Sequence, residues 1–286
     1  HKCNGKERQF RRIANVRPLC YNKTIFIQEE IIVKKLLAFL AAVLLLAGCA
    51  ADREQPAGTD TEASLAQSAM TKERWTDMDG TALDYWLYTP ENPAEDMPLI
   101  VYLHGGSGKG NDLEKILDEG SLPGYLWSGQ LSPAAYVLIP QLPESCKGWT
   151  DRAEALMKLI SHVEADCAID SDRVSLTGHS MGGTGSWAFA LAYPRTFSAV
   201  APLSGSVQVT EQNLRKPENL PVWAVVGEAD TIVPPDSSRE MIEQLSERNP
   251  EAKITELPGT DHFGVPEIYL DSETGLLDWL IAQKRG

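Results

Sequence analysis

Gly178-His179-Ser180-Met181-Gly182 constrains this chain more than any other stretch. Arg173 to Thr177, just before it, reads as a buried strand, and Gly183 to Tyr193, just after it, reads as a helix. A strand that turns this sharply into a helix leaves the middle residue on a strained corner, with its side chain lifted above the end of the sheet. Cβ atoms at the flanking positions would collide in so tight a turn, which accounts for the glycines. The lifted residue is a serine, so the corner presents a hydroxyl oxygen.

A serine hydroxyl is a weak nucleophile until a base takes its proton. On a strand–elbow–helix scaffold the partners follow along the chain as Ser, then Asp or Glu, then His. Of the five histidines (His1, His104, His162, His179 and His262), His262 alone lies after Ser180. It sits in the turn-rich run Pro258 to Gly264, after an expected strand over 252–257. The short apolar run Pro221 to Val226 predicts a buried strand, and Gly227 to Pro234 follows it. Asp230 in that loop is the expected carboxylate, with Glu228 and Asp236 as fallbacks. Asp261 is disfavoured, because a neighbour in sequence seldom reaches the far side of the same imidazole. A fourth segment, the apolar run Pro98 to Leu103, ends in His104-Gly105-Gly106-Ser107-Gly108. A glycine-rich loop there leaves backbone N–H groups free for a developing oxyanion. The expected donors are the N–H of Met181 and that of Gly106 or Ser107.

These segments, with Ala192 to Phe197, resemble the esterase branch of the α/β-hydrolases over residues 80 to 283. Within that branch the chain is similar to dienelactone-hydrolase-like proteins, feruloyl- or acetyl-xylan-esterase-like proteins, and the predicted peptidases related to prolyl oligopeptidase. It implies an α/β-hydrolase fold: a mostly parallel sheet with helices on both faces and no separate lid domain. It also implies serine hydrolase chemistry with Ser180, Asp230 and His262 as catalytic residues. The substrate stays open, because one scaffold carries many chemistries. A carboxylesterase, a serine peptidase and a non-catalytic binding lipoprotein are the competing functions. The expected ester is a small molecule or is linked to a polysaccharide. His104, Trp149 and His179 are the expected substrate-binding residues; Trp149 either stacks on an aromatic acyl group or sugar ring, or only packs. Trp127 and the segment 204–220 are further candidates.

Residues 34 to 49 run from Lys34-Lys35 through an apolar stretch to Leu46-Ala47-Gly48-Cys49. A basic start, a short apolar core and a small-residue end describe an export signal too short for a stable membrane span. The last four residues resemble a bacterial lipobox, which implies lipidation of Cys49 and a membrane-anchored protein facing outside the cytoplasm. The expected organisation is therefore an upstream extension over 1–32 before a true start at Val33, a signal over 33–48, a tether over 49–71 and a catalytic domain over 72–286. The tether region has few large apolar residues, too few to form a core.

The net charge is −14, and residues 49–286 hold 17 Lys and Arg against 37 Asp and Glu. Such an acidic chain argues against nucleic acid as a partner. No C-x-x-C or histidine cluster suggests a metal, and no cofactor is expected. Cys146 and Cys167 flank an expected helix over 152–165, whose ends lie about 20 Å apart at 1.5 Å per residue, too far for a disulfide. Expected strands fall at 82–89, 98–103, 135–140, 173–178, 198–203, 221–226 and 252–257. Expected helices fall at 112–118, 151–165, 181–193, 236–248 and 274–283. This alternation predicts a parallel sheet whose active groups lie beyond the carboxyl ends of its strands.

Overall fold

The computed structural model describes residues 69–117 and 120–286. The extension, the export signal, Cys49 and the tether up to residue 68 lie outside the described residues.

Eight strands form one sheet in the order β1-β2-β4-β3-β5-β6-β7-β8. They are β1 (Met70–Thr76), β2 (Ala82–Tyr88), β3 (Met97–Leu103), β4 (Tyr136–Pro140), β5 (Ile169–His179), β6 (Ala199–Leu203), β7 (Val222–Gly227) and β8 (Ala252–Leu257). β1 and β2 form a hairpin, β2 pairs antiparallel with β4, and every pairing from β4 to β8 is parallel. The helices are α1 (Leu122–Trp127), α2 (Ala153–Asp166), α3 (Met181–Ala192), α4 (Glu211–Leu214), α5 (Asp236–Ser246) and α6 (Leu276–Ala282). The expected α/β-hydrolase architecture is the observed one.

Strand periodicity explains why both faces of the sheet are covered. Successive side chains point to opposite faces. In β3, Leu99, Val101 and Leu103 enter one core, and Ile100 and Tyr102 the other. The first core is closed by Leu156, Leu159, Ile160 and Val163 of α2, Trp187 and Phe189 of α3, and Met241, Ile242 and Leu245 of α5. The second is closed by Leu122, Tyr125 and Leu126 of α1 and Leu276, Leu277 and Leu280 of α6. Both helical layers bury an apolar stripe at spacings of three and four residues.

Several elements depart from expectation. β1 begins at Met70, two residues ahead of the expected domain start at 72, and pairs along its whole length with β2. It carries no strand pattern, because as an edge strand it exposes the run Thr71 to Arg74. In the expected helix at 112–118 there is a 3₁₀ turn, Leu113–Ile116, and α1 was not foreseen. The helix expected from 151 starts as a second 3₁₀ turn, Trp149–Arg152. β5 starts at Ile169, with a register irregularity against β3 between Met97 and Leu99. Cys146, in the loop before the Trp149–Arg152 turn, and Cys167, directly after α2, are free thiols.

Candidate active site

β5 runs directly into α3 through Ser180, whose φ of 60° and ψ of −117° lie where residues other than glycine are seldom found. Two contacts hold that strain. The Ser180 N–H donates to the Leu203 carbonyl at the end of β6 (3.0 Å), and the Thr184 N–H donates to the Ser180 carbonyl (2.9 Å). The glycines are required by proximity: a Cβ on Gly178 would stand 2.5 Å from the Leu103 carbonyl oxygen, and one on Gly182 1.8 Å from the same atom. The corner is thus pressed against the carboxyl end of β3 and cannot sink into the sheet.

Ser180, Asp230 and His262 come together. His262 Nε2 lies 2.9 Å from Ser180 Oγ, and His262 Nδ1 lies 2.7 Å from Asp230 Oδ2. Both are nearly sealed from solvent, His262 at 4% exposure and Asp230 at 4%. Each stands on the loop after its own strand, β8 and β7, and the loops are joined by the Ala229 N–H donating to the Thr260 carbonyl (3.0 Å). The second oxygen of Asp230 accepts the N–H groups of Ile232 (2.9 Å) and Val233 (2.8 Å), so both carboxylate oxygens are held. Burial pushes the Asp230 pKa up, but the bonds from His262 and the Val233 amide outweigh it and hold the carboxyl below its ordinary range. The fallbacks lie elsewhere. Glu228 is exposed. Asp236 pairs with Arg239 at 2.9 Å. Asp261 accepts the N–H groups of Phe263 and Gly264 in its own turn.

The expected oxyanion donors occupy the starts of two helices. Met181 is the first residue of α3, and Gly106 and Ser107 open the 3₁₀ turn Gly106–Gly108 after β3. First-turn N–H groups have no partner within their own helix. The Gly108 N–H is turned back to the Gly105 carbonyl (3.3 Å), and both Gly106 and Ser107 are exposed.

The three expected substrate-binding residues are all buried. His104 is 2% exposed and spends both ring nitrogens on backbone. Its Nε2 accepts the Leu142 N–H (3.0 Å), so Nδ1 carries the proton and donates to the Gly105 carbonyl (2.6 Å). Burial lowers its pKa to about 4. Trp149 is 1% exposed, with its ring edge-on to His104 at 4.9 Å and its N–H donating to the His104 carbonyl (3.1 Å). Both residues brace the loops after β3 and β4. His179 is also buried. Its Nε2 donates to the His262 carbonyl (2.8 Å), and its ring lies 4.6 Å from that of His262. Burial, then the neighbouring His262, lowers its pKa to about 4, so this ring packs on His262 as a neutral group. Trp127 packs against Trp86 at 5.2 Å, on the edge of the second core.

One residue escaped the sequence reading. Phe263, directly after His262, is 72% exposed and stands edge-on to the imidazole at 5.4 Å. Its adjacency to the expected base was the available signal. Among the described residues, no group of three or more His, Cys, Asp and Glu is placed to hold a metal ion.

Comparison with known proteins agrees with the geometry. The model of the dienelactone hydrolase family matches residues 83–265. Over 228 residues the chain is 24% identical to "Putative esterase NocK" of Nocardia uniformis subsp. tsuyamanensis, covering 68% of this chain and 64% of that protein. Over 172 residues it is 30% identical to "Probable feruloyl esterase C" of Aspergillus terreus, covering 58% and 62%. A solved thermostable esterase superposes with a TM-score of 0.65 at 26% identity, over 77% of this chain and 64% of that one. The chain therefore spans less than two thirds of the length of these three proteins. With the family model spanning the sheet from β2 to the loop after β8, the chain belongs to the dienelactone hydrolase family, within the α/β-hydrolases.

Proposed function

We propose that this protein is a serine hydrolase that cleaves carboxylic esters through an acyl-enzyme. The observation that carries this is the unbroken path Ser180 Oγ–His262 Nε2 and His262 Nδ1–Asp230 Oδ2, with the serine held on a strained elbow. His262 takes the Ser180 proton as Oγ bonds to the ester carbonyl carbon. The carbonyl oxygen takes up negative charge and is met by the N–H of Met181 and that of Gly106 or Ser107. The carbon–oxygen bond to the alcohol then breaks, and His262 gives its proton to the departing oxygen. Water, deprotonated by His262, attacks the acyl carbon, and the proton returns to Ser180 as the acid leaves. Asp230 keeps the imidazole in the required tautomer and stabilises its charged form without taking the proton.

The proposed substrates are short-chain or polysaccharide-linked acyl esters. Similarity to a probable feruloyl esterase supports an ester as the substrate. Export and anchoring through lipidated Cys49 are proposed from the 34–49 pattern. Mass spectrometry of the Cys49 peptide from membranes tests them: an unmodified thiol in a soluble fraction would remove the anchor.

Hydrolysis of p-nitrophenyl acetate, butyrate and a long-chain ester, beside Ser180→Ala, tests the chemistry. The expected result is short-chain turnover that vanishes in the variant. Turnover that survives the substitution would refute the mechanism, and cleavage of peptides in place of esters would make the protein a peptidase.

A further inference from the structure

We propose that the exposed ring of Phe263 receives the alcohol half of the ester, and that the preferred alcohol itself carries a ring, either a sugar or an aryl group. This rests on the ester-hydrolase reading above.

Among the described residues, four large apolar side chains are exposed: Met78, Ile232, Phe263 and Leu270. Phe263 is the one that touches the base. Its ring stands edge-on to His262 at 5.4 Å and 83°, and 72% of the residue stays in water. Its position is set by a tight turn in which Asp261 Oδ1 accepts both the Phe263 and the Gly264 N–H (3.1 Å each). The turn holds a large apolar surface out of the core, where it would otherwise add to stability.

The reaction decides which half of the substrate meets this ring. The departing alcohol oxygen must come within hydrogen-bond reach of His262 Nε2 to take its proton. The atoms bonded to that oxygen therefore lie on the side of the His262 loop. Among the described residues, the exposed aromatic ring that stands against His262 is Phe263, whereas Trp149, His104 and His179 are buried. A phenyl face attracts the edge of an aryl ring or the C–H face of a sugar. A methyl group is too small to cover it.

The test uses butyrate esters of methanol, benzyl alcohol and the 6-hydroxyl of glucose, with the full chain, Phe263→Ala and Met78→Ala. Met78 is also a large apolar side chain and is fully exposed, but sits in the turn between β1 and β2. In Phe263→Ala, kcat/KM for the ring-bearing esters is expected to fall about five-fold, the scale of one ring contact. The methyl ester and the Met78→Ala variant are expected to change by less than about two-fold on the same scale. Deacylation in single turnover is expected to stay constant, since the alcohol has already left. Loss with one ring-bearing ester alone supports the proposal and names the ring. Equal loss for all three alcohols, no loss for either ring-bearing ester, or a slower deacylation would overturn it. If the unaltered protein turns over no ester, methyl butyrate included, the ester-hydrolase reading fails instead.

Discussion

His104 and His262 each follow a strand in the parallel part of the sheet, each is nearly sealed from solvent, and each uses both ring nitrogens. Their partners differ. His104 joins two backbone groups, the Leu142 N–H and the Gly105 carbonyl. His262 joins two side chains, a hydroxyl and a carboxylate. A ring between backbone groups has one satisfied protonation state and works as a strut. A ring between a hydroxyl and a carboxylate can gain a proton on one side because the other side stabilises the charge. Buried histidines at strand ends are therefore sorted by what they bond, and burial alone does not sort them.

The largest effects fall on the His262 side. Ser180→Ala should lower kcat about 10⁵-fold or more, as loss of a nucleophile does in enzymes of this kind. Asp230→Asn should lower it about 10⁴-fold, because the amide favours the wrong tautomer of His262. Both variants should keep the far-UV circular dichroism of the parent. A fall of less than about ten-fold in Asp230→Asn would mean that the 2.7 Å bond does not orient the base.

Acid should act through the neutral rings. His104 and His179 have pKa values lowered to about 4 in the fold, chiefly by burial, against an ordinary value of 6.5. Between these values the unfolded chain binds protons that the folded chain does not, so stability must fall as pH drops from 6.5 to 4. Each ring contributes about 3 kcal/mol at the lower end, from roughly 1.4 kcal/mol per pKa unit. Asp230, with its pKa lowered, adds its loss only below the ordinary carboxylate range. Urea unfolding at pH 7 and pH 4.5 measures this. A flat profile across that window would show that the rings are protonated without cost.

His104→Ala should reverse the pattern of Ser180→Ala. It leaves the Leu142 N–H and the Gly105 carbonyl unpaired beside Trp149 and opens a space in the packing. A loss of about 3 kcal/mol in unfolding free energy is expected. Activity per folded molecule should fall far less than in Ser180→Ala. Stability unchanged with activity abolished would return His104 to the chemistry.

The contrast also marks what the sequence could convey. β3, β4 and β7 were legible because both of their faces are buried, so their apolar residues run together. β1 was not, since an exposed edge strand is free to carry Lys72, Glu73 and Arg74. α1, six residues long, is held by the second core and is too short for a helical period to stand out. Ser180, Asp230 and His262 could be chosen because chain order and loop position leave few alternatives. His104, Trp149 and His179 could not be assigned a direction. A polar or aromatic residue at a strand end can face the crevice or brace the loop, and the choice is made by backbone groups as distant in sequence as Leu142 and His262.

Trp149→Phe gives the smallest expected change and the sharpest test of the strut. It keeps most of the buried ring but removes the N–H that donates to the His104 carbonyl (3.1 Å). The lost bond should cost about 1 kcal/mol, with somewhat more if the His104 carbonyl is left without a partner. If Trp149 only braces the loop, the ester series should keep its order of preference and KM should stay within about two-fold, a change well under the 1.4 kcal/mol that corresponds to ten-fold. A change of KM that depends on the acyl group, with unfolding free energy unaltered, would instead show that Trp149 meets the substrate, and the buried side of the site would have to open for it to do so.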